Sequence, residues 1–130
     1  MIVVDASAIL EVLLNTPAAE RVGKRLFAAG QSLHAPHLLD LEVAQVLRRR
    51  WLSGDLSSKR GIEALDDLAN LRLTRHSHTL LLPRIWELRH NFTAYDAVYL
   101  ALAEELRVPL LTRDQALASA HGHTARVELI

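Results

Sequence analysis

The chain has 130 residues, of which 50% are hydrophobic and 23% charged, a composition typical of one ordinary globular domain rather than of a disordered or fibrous chain. It has no cysteine, which excludes disulfides and thiolate metal sites, and its 15 basic side chains balance 15 acidic ones, so net charge gives nucleic-acid binding no support. No apolar stretch approaches the roughly 20 residues that cross a bilayer, and the first residues lack the basic segment of a signal peptide. We therefore expect one soluble, cytoplasmic domain over residues 1–130.

Short apolar runs alternate with helix-forming segments along the chain. Residues 2–4 form a β-branched run that predicts a strand, and the helix predicted for residues 6–15 follows it at once. Thr16 and Pro17 predict the cap and the first residue of a second helix, which ends at Gly30. Further strands are predicted for residues 32–36, 71–76, 108–112 and 125–130, and further helices for residues 37–52, 56–71, 79–91, 93–107 and 114–120. This alternation indicates right-handed crossovers and a mostly parallel α/β sheet covered by helices on both faces.

Two aspartates follow predicted strands at the edge where such sheets bind ligands. In open parallel sheets, ligands lie beyond the carboxyl ends of the strands, where the strand order reverses. Asp5 follows the first strand directly, and Asp114 comes one residue after the fourth. Aspartate is also a preferred N-cap, so capping of the next helix explains either residue when it is taken singly.

Two more carboxylates lie on predicted helices that begin near the same edge. Glu42 falls at the border of the apolar face of its helix, with Arg49 on the same flank. Asp96 lies in the first turn of an otherwise apolar helix, where Thr93-x-x-Asp96 matches a capping box. The cap and the helix dipole offset only part of the free-energy cost of burying a charge. A divalent cation shared with other acids would offset the rest of this free-energy cost.

We call these four side chains the acidic quartet: Asp5, Glu42, Asp96 and Asp114. If they converge, they repel one another and raise one another's pKa unless a cation lies between them. Oxygen ligands without sulfur or imidazole are typical of a hard divalent ion, here Mg²⁺ or Mn²⁺.

Other polar side chains have simpler interpretations. Six of the seven histidines form three pairs without the spacing of a helical zinc pair, and we expect structural or exposed roles for them: His34 and His37, His76 and His78, His121 and His123. The run Arg48–Arg50 is best explained as a solvated face. Arg49, on the side of Glu42, and Arg113, beside Asp114, are nevertheless candidate contacts for a phosphate group.

Four segments in order resemble a PIN-domain ribonuclease, and in particular the VapC toxins of prokaryotic toxin–antitoxin pairs: VVDASA, LEVAQVLRR with Glu42, YDAVYLALAEEL with Asp96, and PLLTRD with Asp114. The resemblance covers the whole chain. It implies an α/β/α sandwich with a parallel sheet in the order 3-2-1-4-5, in which the acidic quartet forms the catalytic and metal-binding set. By the same resemblance, Ser7 and Thr112 match the supporting hydroxyls of the family.

The resemblance also implies an activity and partners. The expected function is Mg²⁺- or Mn²⁺-dependent endonucleolytic cleavage of RNA, as the toxin of a type II toxin–antitoxin pair. The expected partners are RNA, a VapB-like antitoxin whose arginine or other tail residues occupy the acidic pocket, and a second copy of the chain in a homodimer.

Two other classes stay open at this point. A signalling receiver domain also gathers acids and Mg²⁺ at strand ends, but it needs a lysine near the phosphoryl site. The chain has only Lys24 and Lys59, both on helices predicted for its first half. In a non-catalytic metal-binding or binding module, the acids serve mainly to cap helices. A metal titration separates this module from a nuclease.

Overall fold

A five-stranded parallel sheet forms the centre of the protein, which is described over residues 1–130 by a computed structural model. The strands lie in the order β3-β2-β1-β4-β5, and every neighbouring pair is parallel. Their bounds are Ile2–Val4 (β1), Leu33–Pro36 (β2), Leu73–His76 (β3), Leu110–Thr112 (β4) and Val127–Leu129 (β5). The predicted fold class and strand order are therefore confirmed, and the order reverses beside β1, between β2 and β4.

Seven α-helices flank this sheet. They are Ala6–Leu13 (α1), Ala19–Leu26 (α2), Leu38–Leu52 (α3), Ser58–Asn70 (α4), Leu82–Glu87 (α5), Ala94–Leu106 (α6) and Gln115–Ser119 (α7). None of them combines the length and the apolarity that crossing a membrane requires.

The core is centred on β1 and α6. All three residues of β1 are buried, as expected for a central strand with helices on both faces. α6 is buried over seven consecutive residues, Ala97–Ala103, because it packs against the sheet and also against α5. Its continuous apolarity in the sequence reflects burial on all sides.

The second helix begins later than the sequence predicted. α2 starts at Ala19 after Ala18, without a side-chain cap, so the prediction of Thr16 as cap and Pro17 as first residue is wrong. The Thr16 hydroxyl instead donates a hydrogen bond to the Glu11 carboxylate of the preceding helix. A cap residue must accept from the helix it begins, and here the hydroxyl faces backwards.

The helix predicted for residues 79–91 is divided into three pieces. α5 is preceded by a 3-10 turn at Thr79–Leu81 and followed by another at Leu88–His90. Pro83 lies in the first turn of α5, as predicted, and has no N–H to donate to the Thr79 carbonyl. The Leu82 amide donates to that carbonyl instead, which tightens the turn to the 3-10 form.

Candidate functional site

An open cavity of about 330 Å³ lies at the carboxyl end of β1, where the strand order reverses. All four members of the acidic quartet line it. The other lining residues include Ser7 from the start of α1, Gln45 and Arg49 from α3, and Tyr99 from α6. The structure therefore brings together acids that are separated by up to 109 positions in the chain (114 − 5 = 109).

Asp5 is the most deeply buried of these acids, with 7% of its surface exposed. Its Oδ1 accepts hydrogen bonds from the Ser7 hydroxyl at 2.6 Å and from the Ala8 amide at 3.2 Å, so it also caps α1. Its Oδ2 accepts from the Thr112 hydroxyl. Burial is the main reason that the pKa of this carboxyl is raised, and the three hydrogen bonds oppose that shift only in part.

Ser7 and Thr112 hold Asp5 from two sides. Each hydroxyl donates its one proton to Asp5 and accepts a backbone N–H, from Arg113 at 2.9 Å and from Asp114 at 3.0 Å respectively. The two hydroxyls thereby connect the carboxylate at the end of β1 with the backbone that follows β4. Their proton positions are fixed by these partners.

Glu42 is held by a residue that sequence reasoning missed. The Tyr99 hydroxyl donates to Glu42 Oε1 at 2.5 Å, and the tyrosine itself is 2% exposed. Burial raises the pKa of Glu42, the bond from Tyr99 opposes this, and the charges of the neighbouring acids add to the rise. Burial and the contact with Glu42 also raise the pKa of Tyr99, so this phenol stays a proton donor.

Asp96 and Asp114 each take part in a helix cap and also line the cavity. The Asp96 amide donates to the Thr93 hydroxyl at 3.2 Å, but the return bond of a capping box is absent, and the carboxylate lines the cavity. Burial, followed by the charge of Asp114, raises the pKa of Asp96. Asp114 caps α7 through one oxygen, which accepts from the Ala116 and Leu117 amides at 2.9 and 3.2 Å. Its other oxygen makes no hydrogen bond.

The acidic quartet makes no ion pair within the protein. None of its members lies within 4.0 Å of an arginine or lysine nitrogen. Four oxygen-only side chains around one cavity are the donor set of a hard divalent cation, so their chemistry fits Mg²⁺ or Mn²⁺. They surround the cavity without closing on one point, since no three of them are placed to ligate a single ion together.

Arg49 is the one cationic side chain that lines the cavity. Arg113, the other predicted phosphate contact, directs its guanidinium to Glu11 at 3.4 Å and to the Ile130 carbonyl, outside the cavity lining. The two lysines are also absent from the lining, and Lys24 pairs with Glu20 at 2.9 Å. The lysine that a receiver domain needs beside its acids is therefore missing.

The histidines lie away from the cavity. His34 and His76, which face each other on β2 and β3, are joined by a ring nitrogen contact of 2.9 Å, and His34 also contacts the Ser32 hydroxyl at 3.0 Å. Burial, followed by the charge of His76, lowers the pKa of His34. The histidines that share a bond thus come from different strands rather than from one sequence pair. No group of three histidine or acidic side chains is placed to hold a metal ion.

Comparison with known proteins agrees with this architecture. The family model described as the PIN domain matches residues 2–122. Ribonuclease VapC1 of Mycobacterium tuberculosis is 44% identical over 129 residues, which is 98% of this chain and 96% of that protein. Ribonuclease VapC12 of the same organism is 39% identical over 130 residues, which is 100% of this chain and 99% of that protein.

Solved structures share the same fold at low sequence identity. PAE2754 from Pyrobaculum aerophilum superposes with a TM-score of 0.74 at 20% identity, covering 97% of this chain and 81% of that one. VapBC2 from Rickettsia felis, whose structure holds a DNA fragment from its promoter, gives a TM-score of 0.71 at 14% identity and covers 99% and 98% of the two chains.

Proposed function

Because the chain belongs to the PIN-domain family, among the VapC ribonucleases, we propose that it is an endoribonuclease that depends on Mg²⁺ or Mn²⁺ and acts as the toxin of a type II toxin–antitoxin pair. One observation carries the proposal. Four carboxylates with no internal counter-ion line a single cavity at the switch point of the sheet, and burial raises the pKa of three of them.

Because no three acids of the quartet are placed to ligate one ion, the ion would be held by one or two of these carboxylates at a time, together with water. When bound, a divalent ion supplies a water of lowered pKa and a positive charge at the phosphoryl oxygens. Asp5 provides the most rigid ligand, because Ser7 and Thr112 fix both of its oxygens. Glu42 accepts from Tyr99 through Oε1, which leaves Oε2 to orient the attacking water and to take its proton. The water oxygen would then form a bond to phosphorus as the bond to the leaving 3′ oxygen breaks, and that oxygen would take up a proton from solvent.

Single substitutions in the quartet test the proposal. Asp5→Asn and Asp96→Asn keep the size of the side chain but remove its charge. Each should reduce cleavage of RNA in Mg²⁺ or Mn²⁺ by more than about a hundredfold, the scale of losing one group that stabilises transition-state charge. Asp66→Asn, an exposed aspartate on α4, is the matched control and should cleave normally. Cleavage by either quartet variant at the parent's rate would overturn the assignment.

Metal dependence has its own test. Removal of divalent ions with a chelator should abolish cleavage, and Mg²⁺ or Mn²⁺ should restore it. Without RNA, Mn²⁺ at about 100 times its Kd should stabilise the parent against urea by about 2.7 kcal/mol. Asp96→Asn should show much less stabilisation. If Mn²⁺ leaves the parent's stability unchanged, the acids act mainly as helix caps and the non-catalytic module is the better description.

The partners are also proposals. A VapB-like antitoxin is supported by the VapC relatives and by the VapBC2 structure, and an arginine of its tail fits an acidic cavity without a counter-ion. A homodimer is proposed from the family resemblance. Sedimentation at micromolar concentration should give the mass of two chains, and a monomer alone would contradict it.

The RNA that is cleaved must be found by experiment. Cut sites should be mapped on total RNA from cells that express the parent, with Asp5→Asn as the inactive control. Cuts present only with the parent identify the substrate.

A further inference from the structure

Three polar side chains on one side of α3 line the cavity. Glu42, Gln45 and Arg49 all line it. At about 100° per residue, positions i, i+3 and i+7 fall within an arc of about 60° on one side of the helix. At about 1.5 Å per residue, Gln45 lies about 4.5 Å and Arg49 about 10.5 Å from Glu42 along the helix axis. One helix therefore presents a carboxylate, an amide and a guanidinium at fixed intervals.

The guanidinium of Arg49 has no partner within the protein. It is exposed and makes no ion pair, although it faces a cavity that contains four acids. By contrast, Arg75 and Arg84 on other elements each hold a carboxylate through two nitrogens. Arg49 is thus free to take an anion from outside, and arginine suits a phosphate because its planar donors match two oxygens at once.

We propose that Arg49 binds a phosphate that flanks the cleaved one on the same RNA strand, and that Gln45 faces a base between these two phosphates. This inference rests on the ribonuclease function proposed above, with the cleaved phosphate at the acidic quartet. Because Glu42 and Arg49 are separated by about 10.5 Å along the axis of α3, an RNA strand whose cleaved phosphate lies at the acids can place a flanking phosphate at the guanidinium. The single strand then runs along α3.

The chain contains a matched control for Arg49. Arg48 precedes it on the same helix and is equally exposed, but it lines a different groove, between α3 and α4, beside Trp51 and Leu56. Arg48→Gln removes the same charge from the same helix without changing the acidic cavity. A loss of RNA binding or cleavage in Arg49→Gln but not in Arg48→Gln therefore results from the position of the guanidinium and not from the change in net charge.

The test uses a short oligoribonucleotide that spans the mapped cut site, together with copies in which one phosphate is replaced by an uncharged methylphosphonate. With the parent, a methylphosphonate at one of the flanking phosphates should lower kcat/KM, whereas with Arg49→Gln the same methylphosphonate should cause no further loss. The slope of log affinity against log salt, measured in the non-cleaving Asp5→Asn background, should fall by about 0.7 when Arg49→Gln is added, as for one lost phosphate contact on a single strand. Arg48→Gln should retain the parent's response to each methylphosphonate.

Gln45 is tested by base preference. Gln45→Ala should alter the relative cleavage of four oligonucleotides that differ only in the base beside the cut site on the Arg49 side, by about fivefold or more, whereas Arg49→Gln should slow all four alike. Equal methylphosphonate effects in the parent and Arg49→Gln at every flanking phosphate would overturn the subsite while leaving the ribonuclease intact. Failure of the parent to cut any RNA would overturn both.

Discussion

At the scale of single residues, Asp5 combines two functions that the sequence presents as alternatives. One oxygen caps α1 and accepts from Ser7, and the carboxylate also lines the cavity. Asp114 does the same at the start of α7. Capping and ligation are compatible because a carboxylate has about four lone-pair positions and a cap uses only one or two of them.

The raised pKa of Glu42 predicts how charge affects stability without metal. Its carboxyl holds a proton more firmly in the folded than in the unfolded state, mainly because it is buried. Its contribution to stability is therefore fully present below the unfolded pKa of about 4.3 and is lost as pH rises through the raised folded pKa. Glu42→Gln avoids that loss, so with chelator present it should be more stable than the parent at pH 7.

Urea unfolding at a series of pH values checks this prediction. The advantage of Glu42→Gln should shrink as the pH is lowered and vanish below the ordinary range of a glutamate. Glu105→Gln, at an exposed position on α6, should follow the parent at every pH. An advantage of Glu42→Gln that does not change with pH would mean that the charge is not its cause.

The acidic quartet could be predicted from the sequence, but the hydrogen bond from Tyr99 that holds Glu42 could not. Strand ends and helix starts place acids at a known edge of a parallel sheet, so Asp5 and Asp114 were accessible to reasoning. Tyr99 was missed because a tyrosine in an apolar helix is first of all a core residue, and its i+3 spacing from Asp96 was the only signal. Side chains that follow a strand alternate in direction, which explains why Arg113 points away between Thr112 and Asp114.

At the scale of elements, the start of α6 determines where Asp96 lies. The Thr93 hydroxyl accepts from the Asp96 amide at 3.2 Å, which fixes the first turn. Thr93→Ala should lower the free energy of unfolding by about 1 kcal/mol, as for other lost N-caps. It should also reduce RNA cleavage, because the carboxylate of the same turn loses its fixed position.

A second capped helix gives the comparison for this prediction. Ser57 caps α4 by accepting from the Arg60 amide at 3.1 Å, and α4 contributes no residue to the cavity. Ser57→Ala should cost a similar amount of stability in urea unfolding but leave cleavage at the parent's rate. Equal effects of the two variants on cleavage would show that the loss is one of general stability.

Helix boundaries were less predictable than helix existence. The start of α2 and the 3-10 turns around α5 depend on which partner a hydroxyl or carbonyl finds, as for Thr16 with Glu11 and for Thr79 with Leu82. A local pattern of capping residues does not contain that information. α3 and α6, by contrast, are long and are set by their apolar pattern, and both were predicted within one residue of their bounds.

At the scale of the whole molecule, Glu104 joins three parts of the chain. It lies on α6, accepts two hydrogen bonds from Arg84 of α5 at 2.7 and 3.0 Å, and accepts from the Thr124 amide before β5 at 2.9 Å. Burial alone would raise the pKa of Glu104, but the bonds from Arg84 and Thr124 outweigh it, so the pKa is lowered. The stability that this carboxylate contributes is present above its unfolded pKa and is lost as pH falls through the folded one.

Removing this charge should therefore destabilise the protein at neutral pH. Glu104→Gln should lower the free energy of unfolding by about 1–3 kcal/mol at pH 7, and the difference from the parent should shrink in acid. Glu87→Gln is the matched control, because Glu87 contacts the same Arg84 at 3.0 Å from an exposed position. It should cost less than about 1 kcal/mol in the same urea titration. A larger loss for Glu87→Gln would contradict the importance given to Glu104.

The acidic quartet comes from segments that are far apart in the chain, and Asp114 is the last of the four acids to be synthesised. A chain synthesised as far as residue 65 contains Asp5 and Glu42 but neither the complete sheet nor the cavity that the four acids line. Under the proposed activity, each new molecule is inactive as a nuclease during most of its synthesis and becomes active in one late step. If the proposed antitoxin exists, it would be needed only once the four acids have been brought together in the folded domain.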